Sequence, residues 1–209
     1  MPMAPTAGSR APDAAPDRLP RLGGWLFRHR SWLPVPIAVL LLLVPSSDRA
    51  DWLPLAGLAL VVAGEGVRLW AVRHIGVISR TRSDRLGRLV ASGPFQYVRN
   101  PLYLGNMALW VGFALVARLP WLAACCLIVL AAQYHAIVCW EEGLLTSRLG
   151  EPYRQYVASV PRWWPRLATR AHQASAPLYS WGQTFFSERG TLIAIGVGCV
   201  LLAVKSGGR

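Results

Sequence analysis

Lysine is nearly absent from this chain: of its 22 basic residues, only Lys205 is not arginine. Charge of either sign is scarce too, at 15% of 209 residues, against roughly 25% in ordinary soluble domains. The four cysteines, Cys125, Cys126, Cys139 and Cys199, all lie inside apolar runs. Their spacing marks neither a disulfide framework nor a zinc site. They read as small buried apolar residues, and no metal is expected. The first 17 residues, rich in Ala and Pro, lack the apolar stretch of a signal peptide. Residues 1–20 are expected to be a disordered tail, and the first apolar run to stay in place as an anchor. The arginines do not collect on one polar face, which argues against nucleic acid as a partner despite a net charge of +12.

What the chain has instead is apolar sequence, 54% of it, gathered into runs. A bilayer core of ~30 Å asks for about 20 mostly apolar residues per helix. Residues 21–32 mix Arg with Trp and Phe, as interfacial segments do. Spans are expected at about 33–47, 52–72, 102–117 and 120–140, with a short fifth at about 190–204. The fold class is therefore all-α and polytopic, with about five transmembrane helices. Residues 21–168 form the membrane-embedded core, and 169–209 a linker plus the fifth span. Between the runs, 17 Arg fall on one side of the membrane and 4 Arg or Lys on the other, with Arg68 inside a run. The positive-inside rule then puts the N-terminus and both long loops in the cytoplasm and the C-terminus outside. Of the ten Trp, Trp32, Trp52, Trp121 and Trp140 flank runs, as an aromatic belt does.

Only Arg118, Leu119 and Pro120 join the third and fourth runs, so these form an antiparallel hairpin. Run length at ~1.5 Å per residue brings their far ends to the same cytoplasmic depth. One end carries Arg99, Asn100, Pro101 and Tyr103, and the other Glu141 and Glu142. Asn100-Pro101 is a cap and first position for a helix. It is equally a place where free N–H groups and a positive dipole end meet an anion, with Arg99 beside it to hold a carboxylate. Glu141 and Glu142 point about 100° apart, so they serve different contacts. A carboxylate here suits ribose hydroxyls or an amino group. Three further pairs stay open. Tyr153 and Tyr156 line a lid or simply pack. His135 and Cys139 share a face, most simply as buried packing. Glu65 and Arg68, inside the second run, are functional groups or a structural ion pair.

The stretch L-V-A-S-G-P-F-Q-Y-V-R-N-P-L-Y-L-G, an apolar hairpin, and E-E-G-L-L-T-S-R-L-G-E-P-Y-R-Q-Y-V-A-S-V-P-R follow one another in order. This set resembles the isoprenylcysteine carboxyl methyltransferase and phospholipid methyltransferase superfamily. The resemblance covers residues 68 to 165. It implies S-adenosylmethionine as cofactor, a site formed by the hairpin and a C-terminal lid, and a bacterial inner (plasma) membrane as location. By position, the cofactor contacts it implies fall on Leu89, Val90, Phe95, Asn100, Pro101, Leu102, Tyr103 and Glu141. Arg99 and Glu142 are the implied catalytic pair. Three positions depart from the pattern. Asn100 replaces a His, Gly87 stands where many members have another His, and Ile137 replaces an Arg that contacts prenylcysteine substrates. The implied reaction is methyl transfer to a lipophilic or small acceptor other than a prenylcysteine, with the lipid bilayer as the other partner. Two rivals remain. A membrane enone or sterol reductase using NADPH shares part of the Arg-Asn-Pro element, and a non-catalytic membrane protein could retain the fold.

Overall fold

The computed structural model describes residues 18–30, 32–47, 50–76, 89–166 and 176–207. The Ala/Pro tail to residue 17, Gly87 and Arg209 lie outside the described residues. The described residues are helical throughout, with no strand. In chain order the helices are α1 (Arg18–His29), α2 (Val35–Leu43), α3 (Trp52–Ile75), α4 (Pro101–Val116), α5 (Pro120–Leu149), α6 (Glu151–Ser159) and α7 (Trp181–Gly207). A 3-10 turn at Gly93–Gln96 precedes α4. α3, α5 and α7 are long and apolar enough to cross a membrane, and α4 is a shorter apolar helix. The all-α, polytopic architecture is as expected.

The first crossing differs in build. α2 has nine residues, ~14 Å at helical rise, and cannot span alone. Proline explains the break, since Pro34 stands at the N-cap of α2, Pro36 in its first turn and Pro45 just after it, each without a backbone N–H to carry a helix through. α1 begins at Arg18, inside the stretch expected as tail, and stays at one level of α5, with Gly23 against Ala136, Phe27 against Trp140 and Arg30 near Glu141. Phe27 of α1 lies 5.0 Å ring to ring from Trp140 near the far end of α5. At the opposite level, after α2, the Ser46 hydroxyl donates to Ala117 O at 3.0 Å, beside the α4–α5 turn. α2 and its flanking turns thus lead from the level of Trp140 to the α4–α5 turn.

The other crossings follow from such contacts. Asp51, before α3, pairs with Arg118 in the hairpin turn at 3.0 Å. α3 then runs back beside α4, closely enough that a Cβ on Gly57 or Gly64 would strike α4 backbone. Small residues let membrane helices approach in this way. α7 starts at the α3 C-terminus, where Tyr179 N donates to Arg73 O at 3.0 Å. It ends at α2, where Lys205 Nζ donates to Leu41 O at 2.6 Å. It is longer than the expected 190–204, and in its otherwise exposed first turns two polar residues, Thr184 and Glu188, are buried against the core. The packed centre lies between the hairpin and α1–α2, around Leu119, Leu122, Leu130, Tyr134 and Ile137.

Candidate functional site

The turn that opens the site rests on Gly93. Its φ is 61°, and a side chain there would run into the His74 ring of α3. Glycine answers both demands. His74 in turn shares a hydrogen bond of 3.0 Å between Nδ1 and Ser92 Oγ. The chain is thereby held through Tyr97–Asn100 into α4, where Pro101 takes the first helical position and is fully buried.

The segment after α6 lies alongside this entry. Arg99 N donates to Pro161 O at 2.9 Å and Arg166 N to Tyr97 O at 3.0 Å. The Asn100 side chain joins the same seam, Nδ2 donating to Arg162 O at 3.2 Å. That corrects the capping expectation: Asn100 occupies the N-cap position of α4 but makes no side-chain cap bond. α6 ends at Ser159, just before Pro161, as the sequence foretells. Its two tyrosines are buried. Tyr156 Oη donates to Phe95 O at 2.7 Å, and Leu89 packs on the Tyr153, Tyr156 and Val160 cluster. Burial first, then the nearby Glu142 charge, pushes the Tyr153 phenol up to about 12. Burial also raises Tyr156. Both stay neutral near pH 7.

The hairpin ends meet as their lengths require. Tyr103 Oη donates to Glu141 Oε2 at 3.0 Å, and the Tyr103 ring lies 4.8 Å from that of Tyr134. Glu142 faces elsewhere, as a 100° step demands. Arg162 grips it with two nitrogens, Nε to Oε1 at 3.1 Å and Nη2 to Oε2 at 2.6 Å. That fork is the strong geometry for a guanidinium and a carboxylate, and it raises the Arg162 pKa. Arg99 Nη1 also stands 2.8 Å from Glu142 Oε1. This approach is an ion pair without hydrogen-bond alignment, and Arg99 Nε and Nη1 are buried with no hydrogen-bond partner.

Of the residues singled out, Tyr103 and Glu141 meet directly, as do Arg99 and Glu142. Asn100, Pro101, Phe95 and Leu89 lie on the same scaffold of entry turn and lid, through the bonds given above. Val90 and Leu102 are half-buried beside them. Ile137 is fully buried in the core. The sequence had not singled out Arg162, although it lies within the quoted tail. It had also not singled out Arg30, which comes close enough for its charge to act on Glu141; nothing in the linear sequence links that residue of α1 to α5.

A second polar cluster lies deeper. Arg68 Nε donates to Glu65 Oε2 at 3.0 Å and Nη2 to Glu188 Oε2 at 2.5 Å. Nη1 bonds Asn106 of α4. This joins α3, α4 and α7 inside the apolar layer and resolves Glu65–Arg68 as part of an ion-pair network. His135 Nε2 and Cys139 Sγ are 3.6 Å apart. Among the described residues, no group of three or more His, Cys, Asp or Glu is placed to hold a metal ion.

The phospholipid methyltransferase family matches residues 52–151. The chain is 30% identical over 155 residues to the nickel-cobalt-cadmium resistance protein NccN of Alcaligenes xylosoxydans xylosoxydans, which covers 70% of each chain. It is 28% identical over 149 residues to the cobalt-zinc-cadmium resistance protein CzcN of Cupriavidus metallidurans, 70% of this chain and 68% of that one. It is 26% identical over 121 residues to protein-S-isoprenylcysteine O-methyltransferase B of Arabidopsis thaliana, 56% of this chain and 61% of that one. No solved structure matches.

Proposed function

Since the chain belongs to the isoprenylcysteine carboxyl methyltransferase and phospholipid methyltransferase superfamily, we propose that it transfers a methyl group from S-adenosylmethionine to a lipophilic or small acceptor at the membrane. The observation that carries this reading is Arg99. The Arg99 guanidinium is largely buried; its Nε has no hydrogen-bond partner and its Nη1 meets Glu142 only as an unaligned ion pair, so it keeps donors for a second anion. It stands at the start of α4, where free backbone N–H groups add to the same preference. The cofactor's carboxylate fits there, and its amino group or ribose hydroxyls fit the Glu141 carboxylate that Tyr103 orients.

When bound, the cofactor supplies an electrophilic sulfonium methyl. The protein's part is placement and exclusion of water. Arg99 and the α4 N-terminus hold the carboxylate end. Glu141 and Tyr103 hold the polar middle. Glu142 is a positioning residue: tied by Arg162 and paired with Arg99, it fixes the guanidinium without needing to touch the cofactor. The lid segment Pro161–Arg166 covers the entry, with Asn100 as one of its anchors. Ile137, apolar and buried, offers nothing to a substrate carboxylate, which favours acceptors other than a prenylcysteine. The site faces the cytoplasm, from which the polar cofactor comes. A nonpolar acceptor enters from the bilayer of a bacterial inner membrane.

Equilibrium binding of radiolabelled S-adenosylmethionine to the purified protein in detergent tests this. Saturable binding is expected, and NADPH should not compete. Saturable NADPH binding without S-adenosylmethionine binding would replace the reading with a reductase. Binding of neither would leave a non-catalytic member of the superfamily.

A further inference from the structure

We propose that Arg21 and Arg28 of α1, with Trp140 of α5, form a groove for the phosphate of an anionic phospholipid. The two arginines are seven residues apart and so share one helix face, ~10 Å from each other along the axis. Both are exposed, and neither has a hydrogen-bond or ion-pair partner among the described residues. Between them sits Gly24. A Cβ there would meet the Trp140 indole nitrogen at 3.0 Å, so the glycine leaves that N–H uncovered. Arg21, Gly24, Arg28 and Trp140 line a groove of about 370 Å³. It therefore offers two guanidiniums and one indole N–H, all donors.

Among the described residues no carboxylate lines this groove. Glu141 and Glu142 follow Trp140 on α5 but step 100° further round with each residue, and they are engaged by Tyr103, Arg162 and Arg99. A wall of donors without an acceptor selects a phosphate ester of net negative charge over a zwitterionic headgroup, whose ammonium would find no partner. Both a lipid and a soluble phosphate ester carry that chemistry. The surroundings favour the lipid. Leu22 and Trp25 on the same helix are exposed, 50% and 47%, and give acyl chains an apolar surface beside the groove. A basic amphipathic helix of this kind lies in the headgroup layer.

Native mass spectrometry of the full chain, released from detergent after incubation with each ligand, tests the assignment. Phosphatidylglycerol should be retained roughly tenfold more than phosphatidylcholine. The double variant R21Q/R28Q should lose that preference, as should R28Q alone in part. Trp140→Phe keeps the ring and lowers retention severalfold. S-adenosylmethionine binding should not change in the arginine variants, so failure here is separable from failure of the methyltransferase reading. Undiminished phosphatidylglycerol retention in R28Q and R21Q/R28Q, with unchanged thermal melts, would overturn the site. Displacement of the lipid by an equal concentration of glycerol phosphate would overturn its assignment to a lipid.

Discussion

Glu142 receives three guanidinium nitrogens, two from Arg162 and one from Arg99. Glutamine in its place would leave those cations without a counter-charge in a largely buried setting. Breaking such a pair costs on the order of 3 kcal/mol, so Glu142→Gln should lower the melting temperature in detergent by several degrees. Glu141 accepts one hydrogen bond among the described residues, from the Tyr103 hydroxyl, with the Arg30 charge nearby. Glu141→Gln should melt close to wild type yet bind S-adenosylmethionine ten- to a hundredfold more weakly, since a charged hydrogen bond is worth ~1.5–3 kcal/mol. Wild-type affinity would remove Glu141 from the site. Asn100 gives a sharper case. As a mere cap it would tolerate Asp. Its amide instead donates to Arg162 O, and Asp would turn that bond into two facing acceptors. Asn100→Asp should loosen the lid and weaken cofactor binding about tenfold, while Asn100→His, still a donor, should keep activity. Unchanged affinity and melting in Asn100→Asp would leave the seam without consequence. Much of this was legible in the sequence: spacing alone brings Asn100 and Tyr103 level with Glu141. The direction of the Asn100 side chain was not, because its partner is a backbone carbonyl in a segment about sixty residues away.

Hydropathy locates helices by their lipid-facing and core-facing residues, and it fails where a helix buries polar groups. α7 shows this. Its apolar run begins near residue 190, but the helix starts at Trp181, and Thr184 and Glu188 point into the bundle, each at most 3% exposed. The same physics makes Glu188 the tie between α7 and α3. Most of the apolar surface of α7 is exposed, Phe186, Ile193, Val197 and Val204 included. In lipid, such surface gives no drive to pack. Polar contacts must then carry the docking. Glu188→Ala, leaving Arg68 with less compensation, should destabilise the fold by about 3 kcal/mol. It should also expose the chain before Trp181 to limited proteolysis. Glu188→Gln keeps a hydrogen bond and should lose roughly half as much. Equal protease resistance in wild type and Glu188→Ala would mean that α7 is held by other contacts. At α1 and α2 the error ran the other way. The apolar run at 33–47 has nearly the composition of a span, but its prolines restrict the helix to nine residues.

Counting the passage through the short α2 with α3, α4, α5 and α7, the chain runs back and forth five times between the two ends of the bundle. α1 lies at the Trp140 end of the bundle, and Lys205 closes α7 beside the C-terminal end of α2. An odd number of crossings puts the two termini on opposite sides. The sidedness itself comes from charge. By position along the sequence, 17 of the 22 basic residues fall in segments on the side of Arg99, Arg162 and Glu141. Arginine is held back on the cytoplasmic face during insertion, so this end is expected in the cytoplasm, where the proposed water-soluble cofactor would reach the lid. Reporter fusions after Arg209 and within residues 77–88 should then report opposite sides, the loop cytoplasmic and the C-terminus external. Both reporters on one side would require that one of the crossings between them, most directly the 16-residue α4, does not reach through the bilayer. The reverse assignment, loop outside and C-terminus inside, would keep the five crossings but place the candidate site on the face away from the cytoplasm, and the methyltransferase reading would lose its source of cofactor.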